Sequence, residues 1–143
     1  MTLVTYVSVS ENSTINEKNS LYLMHQTHSN KVEIIEDENN SKENKCDAML
    51  TISDKIALSV LTADCIPILL YENQKEIIGC IHAGWKGSIS GIIENTLKKL
   101  KDMDGKAKNL IVSVGPCISQ KNYEVKEDFY KRFIEESKDN NSF

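Results

Sequence analysis

Imidazole and guanidinium groups are scarce in this 143-residue chain, which has three histidines, His25, His28 and His82, and one arginine, Arg132. Any centre that needs more than three imidazole ligands is thereby excluded. A net charge of −4 leaves no basic excess to draw in a nucleic acid, so no nucleic-acid partner is expected. No apolar run approaches the roughly 20 residues of a membrane span. The first ten residues, MTLVTYVSVS, lack a positive segment followed by a continuous apolar one. The expectation is a cytoplasmic protein with no membrane partner. There is no C-x-x-C pair and no internal repeat.

With 40% hydrophobic and 27% charged residues, the chain has the composition of one soluble domain able to bury a core. Cys46, Cys65, Cys80 and Cys117 are even in number, yet in a cytosolic chain they are expected to stay reduced, as core residues, ligands or nucleophiles. Stretches 10–20, 36–45 and 135–142, rich in Asn, Ser, Lys and Glu, read as loops or frayed ends. Short β-branched, apolar segments at 21–24, 32–35, 48–51, 56–61, 66–71, 77–81 and 110–114 read as strands. Pro67 removes a ladder donor, so its strand should begin there or lie at an edge. One long helix is predicted over 88–101, with Ile89, Ile92, Ile93, Leu97 and Leu100 on one stripe and lysines in its last turn. Val125, Phe129 and Phe133 at spacing four predict a shorter helix ending near Ser137. This order of elements gives a mixed α/β (α+β) fold, and hairpin-like strand spacing argues against an all-parallel sheet.

The chemistry concentrates where two apolar runs turn polar. Thr62-Ala63-Asp64-Cys65 follows the run at 56–61, and His82-Ala83-Gly84-Trp85-Lys86-Gly87 follows the run at 77–81. If those runs are neighbouring strands, Cys65 and His82 meet at one rim of a sheet. Two imidazoles and one thiolate make a three-ligand zinc site with an open fourth position, and His28, Cys65 and His82 are the choice. Cys65 lies 37 residues after His28 and 17 before His82, which matches no compact local motif. The ordinary alternative is a buried cysteine beside surface histidines. A second reading of the same atoms is a catalytic dyad of Cys65 and His82 oriented by Asp64 or Asp47, as in a cysteine hydrolase. Lys86, Gly87 and Ser88 open the predicted helix, where backbone amides and an ammonium can hold phosphate. Equally, the glycines only shape a turn and Ser88 only caps.

Five segments together resemble one family. They are Gln26-Thr27-His28, Cys46-Asp47-Ala48-Met49-Leu50-Thr51, Thr62-Ala63-Asp64-Cys65 with Ile66-Pro67-Ile68-Leu69-Leu70, His82-Ala83-Gly84-Trp85-Lys86-Gly87, and Gly115-Pro116-Cys117-Ile118 followed by Tyr123-Glu124-Val125. In this order they resemble the YfiH or laccase-domain family, whose members are also called polyphenol oxidases, purine nucleoside phosphorylases and peptidoglycan editing factors. The resemblance implies two mixed sheets covered by helices in an α/β/β/α arrangement, with zinc on His28, Cys65 and His82. It also implies phosphorolysis of adenosine, inosine and methylthioadenosine, with adenosine deamination alongside, and therefore a purine nucleoside and phosphate as partners. An editing role in cell-wall precursor synthesis is attributed to bacterial relatives.

Family members extend beyond both ends of this chain, so residues 1–143 are expected to form a single domain that is incomplete relative to the family. Arg132 stands far from the matched motifs, and Ser29 occupies a position where the family often has glycine, which bears on the turn after His28. The oxidase name meets the histidine count directly, since three histidines cannot ligate four coppers. A single copper on two His and one Cys is an alternative metal if a weak axial ligand approaches. The sequence reading is thus a monomeric zinc-dependent purine nucleoside phosphorylase with adenosine deaminase activity. A cysteine hydrolase and a non-catalytic metal-binding fragment stand as alternatives.

Overall fold

A computed structural model of the chain describes residues 3–8, 20–36 and 45–136. The predicted loops at 10–20, 36–45 and 135–142 fall almost wholly outside the described residues. Eight strands are found among those described: β1 (Leu3–Ser8), β2 (Ser20–Leu23), β3 (Val32–Ile34), β4 (Ala48–Thr51), β5 (Ile56–Thr62), β6 (Ile66–Glu72), β7 (Ile77–Ala83) and β8 (Leu110–Val114). Helices α1 (Trp85–Ile89) and α2 (Ile92–Asp102) follow β7, and α3 (Glu127–Glu136) follows β8. All seven strands expected from the sequence are present. β1 is an addition, and it pairs antiparallel with β5 from Leu3↔Thr62 to Ser8↔Ala57.

The strands form two sheets, ordered β1-β5-β2 and β3-β4-β7-β6-β8, and both mix parallel with antiparallel neighbours. This corrects one expectation. β5 and β7 are not neighbours in a sheet, because β5 belongs to the three-stranded sheet and β7 to the five-stranded one. The strand beside β7 that brings Cys65 to it is β6, in an antiparallel hairpin with Ile66 opposite Ala83 and Pro67 opposite His82. Pro67 lies at the start of an interior strand, before the register of β8 begins at Ile68↔Val114, so its missing N–H costs no bond to β8.

Two cores explain the apolar runs. Between the sheets lie Tyr22, Leu58, Val60, Met49, Ile78 and Cys80. Between the five-stranded sheet and α2 lie Leu50, Ile77, Ile81, Ile92 and Leu100. β7 is covered on both faces, which is why it reads as an unbroken apolar stretch rather than an alternating one. Leu21 and Leu23 face away from the inter-sheet core, and no described helix covers them. Helix, sheet and sheet are therefore the three layers seen among the described residues.

The single helix expected over 88–101 is two helices. Gly91 adopts φ +84 and interrupts the ladder between α1 and α2, a left-handed conformation that glycine enters without a Cβ penalty. The buried stripe of α2 is Ile92, Thr96 and Leu100, whereas Ile93 and Leu97 lie at the margin and are partly exposed. Thr96 fits the apolar face because its hydroxyl donates to the Ile92 carbonyl at 2.7 Å.

The far end of the β6–β7 hairpin is pinned by Glu72. Its carboxylate accepts from the amides of Gln74 and Lys75 at 3.1 and 2.6 Å and from Asn109 Nδ2 at 2.7 Å. Burial opposes ionisation of Glu72, but these hydrogen bonds and one from the Lys106 amide outweigh it and lower its pKa. The register fixed there is transmitted along both strands to their opposite end, where Cys65 and His82 stand.

Candidate metal centre

His28, Cys65 and His82 come from three places in the chain and converge at one rim of the five-stranded sheet. Their donor atoms all lie within 4.8 Å of one another. Cys65 Sγ is 4.0 Å from His28 Nε2, and the two imidazole rings meet edge to face with centroids 4.8 Å apart. Tetrahedral bonds of about 2.0 Å to nitrogen and 2.3 Å to sulfur place donors roughly 3.3 to 3.6 Å apart, so the trio needs only a small contraction to close on an ion. His82 is buried, Cys65 half-buried and His28 exposed, which leaves one side open. His25 is exposed and outside the group.

Asp47 builds this geometry. It is fully buried at the start of β4, and its Oδ1 lies 2.8 Å from His82 Nδ1. An Nδ1–H directed at a carboxylate leaves Nε2 as the free donor of His82. The same carboxylate accepts from the backbone amides of Thr27, His28 and Ser29 at 3.2, 3.0 and 2.7 Å, and from the Ser29 hydroxyl at 2.7 Å. Burial works to raise the Asp47 pKa, but hydrogen bonds from His82, Ser29 and Thr27 carry it down to about 2. One buried anion thus orients one imidazole and ties down the loop that presents the other.

That loop is held from two further sides. Gln26 makes strand-like bonds to β5, donating through Nε2 to the Leu61 carbonyl at 2.7 Å and accepting at Oε1 from the Leu61 amide at 2.9 Å. Asn30 donates to the Ser90 carbonyl at 2.7 Å, and its own carbonyl accepts from Asn95 Nδ2 at 3.0 Å. The left-handed residue is His28 itself, at φ 57, so serine at position 29 needs no glycine-like backbone and instead contributes its hydroxyl to Asp47.

Gly84 is the cradle of the site. A Cβ there would stand 2.9 Å from His28 Cδ2 and 3.2 Å from Cys65 Sγ. Its φ −75 and ψ 157 are open to any residue, so Gly84→Ala should leave the fold intact and displace the ligands instead. Zinc affinity is expected to fall about tenfold with a nearly unchanged thermal midpoint, as measured by competition with a chromophoric chelator. Unaltered affinity would show that the trio does not close on a metal.

The remaining candidates separate. Asp64 does not orient an imidazole; its carbonyl accepts from the Ile118 amide at 3.0 Å, and its residue lines a cavity of about 290 Å³ with Cys65, Trp85, Ser88, Ile118 and Tyr123. Lys86 lines a different cavity, of about 640 Å³, with His28, Trp85, Arg132 and Glu135. Its ammonium lies 5.5 Å from the centre of the Trp85 ring. Gly87 and Ser88 are inside α1 rather than ahead of a helix. The Ser88 amide already donates to the Gly84 carbonyl at 2.9 Å, and a Cβ on Gly87 would stand 2.8 Å from the Ser29 carbonyl oxygen. The Ser88 amide is therefore committed within the helical turn, and the Lys86 side chain is the group of this segment that lines the cavity beside His28. Burial, then the nearby Asp64 and Asp47 carboxylates, raise the Cys65 pKa, which opposes a free thiolate. The three donors do fit a metal, because two imidazoles and a thiol converge with one carboxylate behind them.

A family model described as multi-copper polyphenol oxidoreductase laccase matches residues 6–143. The chain belongs to this family. Among its relatives is a Rickettsia conorii protein named as a purine nucleoside phosphorylase, 38% identical over 123 residues, an alignment that covers 86% of this chain and 50% of the relative. A Mycobacterium bovis protein of the same name is 30% identical over 107 residues, covering 75% of this chain and 43% of that one. Among solved structures, a Neisseria meningitidis protein of family DUF152 superposes with a TM-score of 0.71 at 26% identity, covering 85% of this chain and 48% of the other. YlmD from Geobacillus stearothermophilus shares the fold with a TM-score of 0.71 at 20% identity, covering 80% of this chain and 46% of its own. The chain spans about half the length of the curated relatives it matches. Among the described residues, no helix is long and apolar enough to cross a membrane.

Proposed function

We propose that the chain carries the metal-binding half of a purine nucleoside phosphorylase, with zinc held by His28, Cys65 and His82. The observation that carries this reading is the convergence of those three donors between two cavities of different chemistry, one of which contains an ammonium and the other an aromatic slot. The relatives' names supply the substrate class. A zinc ion held by His28, Cys65 and His82 would supply Lewis acidity there.

The chain's own residues hold the reactants. Trp85 and Tyr123, with Ile66 and Ile118, line a slot of about 290 Å³ suited to a flat purine, and Asp64 and Gln120 offer polar atoms to its edge. Lys86 places an ammonium on the other side of Trp85 to receive phosphate. In phosphorolysis a phosphate oxygen forms a bond to the ribose anomeric carbon as the bond from that carbon to the base breaks. The electron pair leaves with the base nitrogen, which takes up the proton given by the phosphate, and the products are free base and ribose 1-phosphate. Adenosine deamination belongs to the same proposal as a second activity of the site.

The test is incubation of the purified, zinc-loaded chain with inosine or adenosine, with and without phosphate, and identification of the products. Phosphate-dependent release of hypoxanthine or adenine with ribose 1-phosphate is the expected result. Ammonia release from adenosine without phosphate would mark the deaminase alone, and free ribose would mark a hydrolase. No turnover with zinc bound would leave a metal-binding fragment and defeat the phosphorylase reading.

A further inference from the structure

Arg132 is the chain's only arginine and lies outside every motif that marks the site in sequence, yet the fold delivers it to the cavity beside His28. The cause is an aromatic contact. Phe129 of α3 packs edge to face on Trp85 with ring centroids 4.8 Å apart, and it is backed by Phe133 stacked at 5.6 Å. Residues three apart share one face of a helix, so docking Phe129 on Trp85 turns Arg132 toward the same cavity. Lys86 reaches that cavity from α1. Two positive groups from different helices, neither of them in an ion pair among the described residues, therefore face one space of about 640 Å³ whose wall includes His28.

We infer that Arg132 and Lys86 form a two-cation clamp for a phosphate group, with the guanidinium as the orienting partner. This rests on the phosphorylase reading for the identity of the anion and extends it by naming the residue that grips it. A guanidinium offers a planar fork to two phosphate oxygens, whereas the Lys86 ammonium acts as a point charge. Glu135 shares the cavity and follows Arg132 by three residues, so its carboxylate competes with the anion for the same cations. Because Trp85 lines both cavities, phosphate on the Arg132 side and a purine on the Tyr123 side would both adjoin that residue.

The experiment is calorimetric titration of the zinc-loaded full chain with inorganic phosphate, for the unaltered protein and for Arg132→Gln, Arg132→Lys and Glu135→Gln, with zinc content and circular dichroism measured in parallel. Arg132→Gln is expected to raise the Kd for phosphate about tenfold, Arg132→Lys by about threefold, and Glu135→Gln to lower it several-fold, all at constant zinc content. Equal Kd values for the unaltered chain and Arg132→Gln would overturn the clamp, as would absence of phosphate binding by the unaltered chain. Tightening on Glu135→Gln keeps the test decisive if Arg132→Gln disturbs α3, and no change there counts against the clamp. Phosphate binding that depends on Arg132 without nucleoside cleavage would leave the clamp standing and defeat the phosphorylase reading alone.

Discussion

Cys65→Ala is expected to lose metal and activity together. The thiol is the only donor of the trio that ligates as an anion, and its Sγ stands 4.0 Å from His28 Nε2 within a group no wider than 4.8 Å. Changes to residues behind a metal ligand cost about 10- to 100-fold in affinity, so loss of the ligand itself should cost more than about 100-fold. The fold should survive, because Cys65 is half-buried in the turn between β5 and β6 rather than part of either core. Alkylation separates ligand from nucleophile: the Cys65 thiol should react slowly in the zinc-loaded chain and faster after chelation. A nucleophilic Cys65 predicts the reverse, with activity that survives chelation and a substrate-derived adduct on sulfur. Cys65→Asp sharpens the comparison, since a carboxylate can still ligate zinc and should retain part of the metal affinity. A covalent Cys65 adduct formed in metal-free, fully active protein would establish the cysteine hydrolase instead.

Asp47→Ala is expected to unmake the site and weaken the whole fold. The carboxylate accepts from three consecutive backbone amides, from the Thr27 and Ser29 hydroxyls, and from His82 Nδ1. Its removal leaves the buried His82 Nδ1 without its partner and unties the loop amides, and breaking a buried charged pair of this kind costs about 3–5 kcal/mol. His82 loses the group that fixes its tautomer, and the loop carrying His28 loses its anchor. Zinc affinity should fall by about 10- to 100-fold in whatever fraction remains folded. Asp47→Asn separates the two effects. Its amide keeps the volume and one acceptor but presents an N–H to donors, so it should fold with intermediate stability and still bind zinc poorly. Urea midpoints and zinc competition titrations measure both quantities. A change below about 0.5 kcal/mol with zinc affinity unaltered would remove Asp47 from the design of the site.

Much of this was legible in the residues themselves. Segments such as 77–81 and 110–114 are short, β-branched and bounded by polar residues, so their strand character follows from local composition. Gly91 misled the periodicity argument, because Ile89, Ile92 and Ile93 keep helical spacing across a break that only the backbone torsion of Gly91 reveals. The LVTYVS stretch of β1 has the β-branched and aromatic residues of a strand, but its pairing with β5 is a long-range choice that composition does not state. The grouping of 56–61 with 77–81 failed for a related reason. Apolar runs of that length do not state which sheet they join, and the partner of β7 was set by the hairpin register instead.

Donor scarcity in the sequence determined which atoms can hold a metal, since three histidines leave few combinations and a neighbouring cysteine completes one. The sequence by itself also pointed to seven of the eight described strands, the chemical class of the ligands and the likeness to a family. Tertiary structure alone decided the roles that depend on direction and distance. It chose Asp47 over Asp64 as the carboxylate behind His82, because β4 pairs with β7 and buries one acid while the other stays in an exposed turn. It withdrew the Ser88 amide from the anion site by placing it within a helical turn. It brought Arg132 to the cavity by packing Phe129 of α3 against Trp85 and Tyr123. Composition and spacing record which groups are available, but Arg132, 104 residues beyond His28, comes to line one cavity with it only when packing folds the chain back on itself.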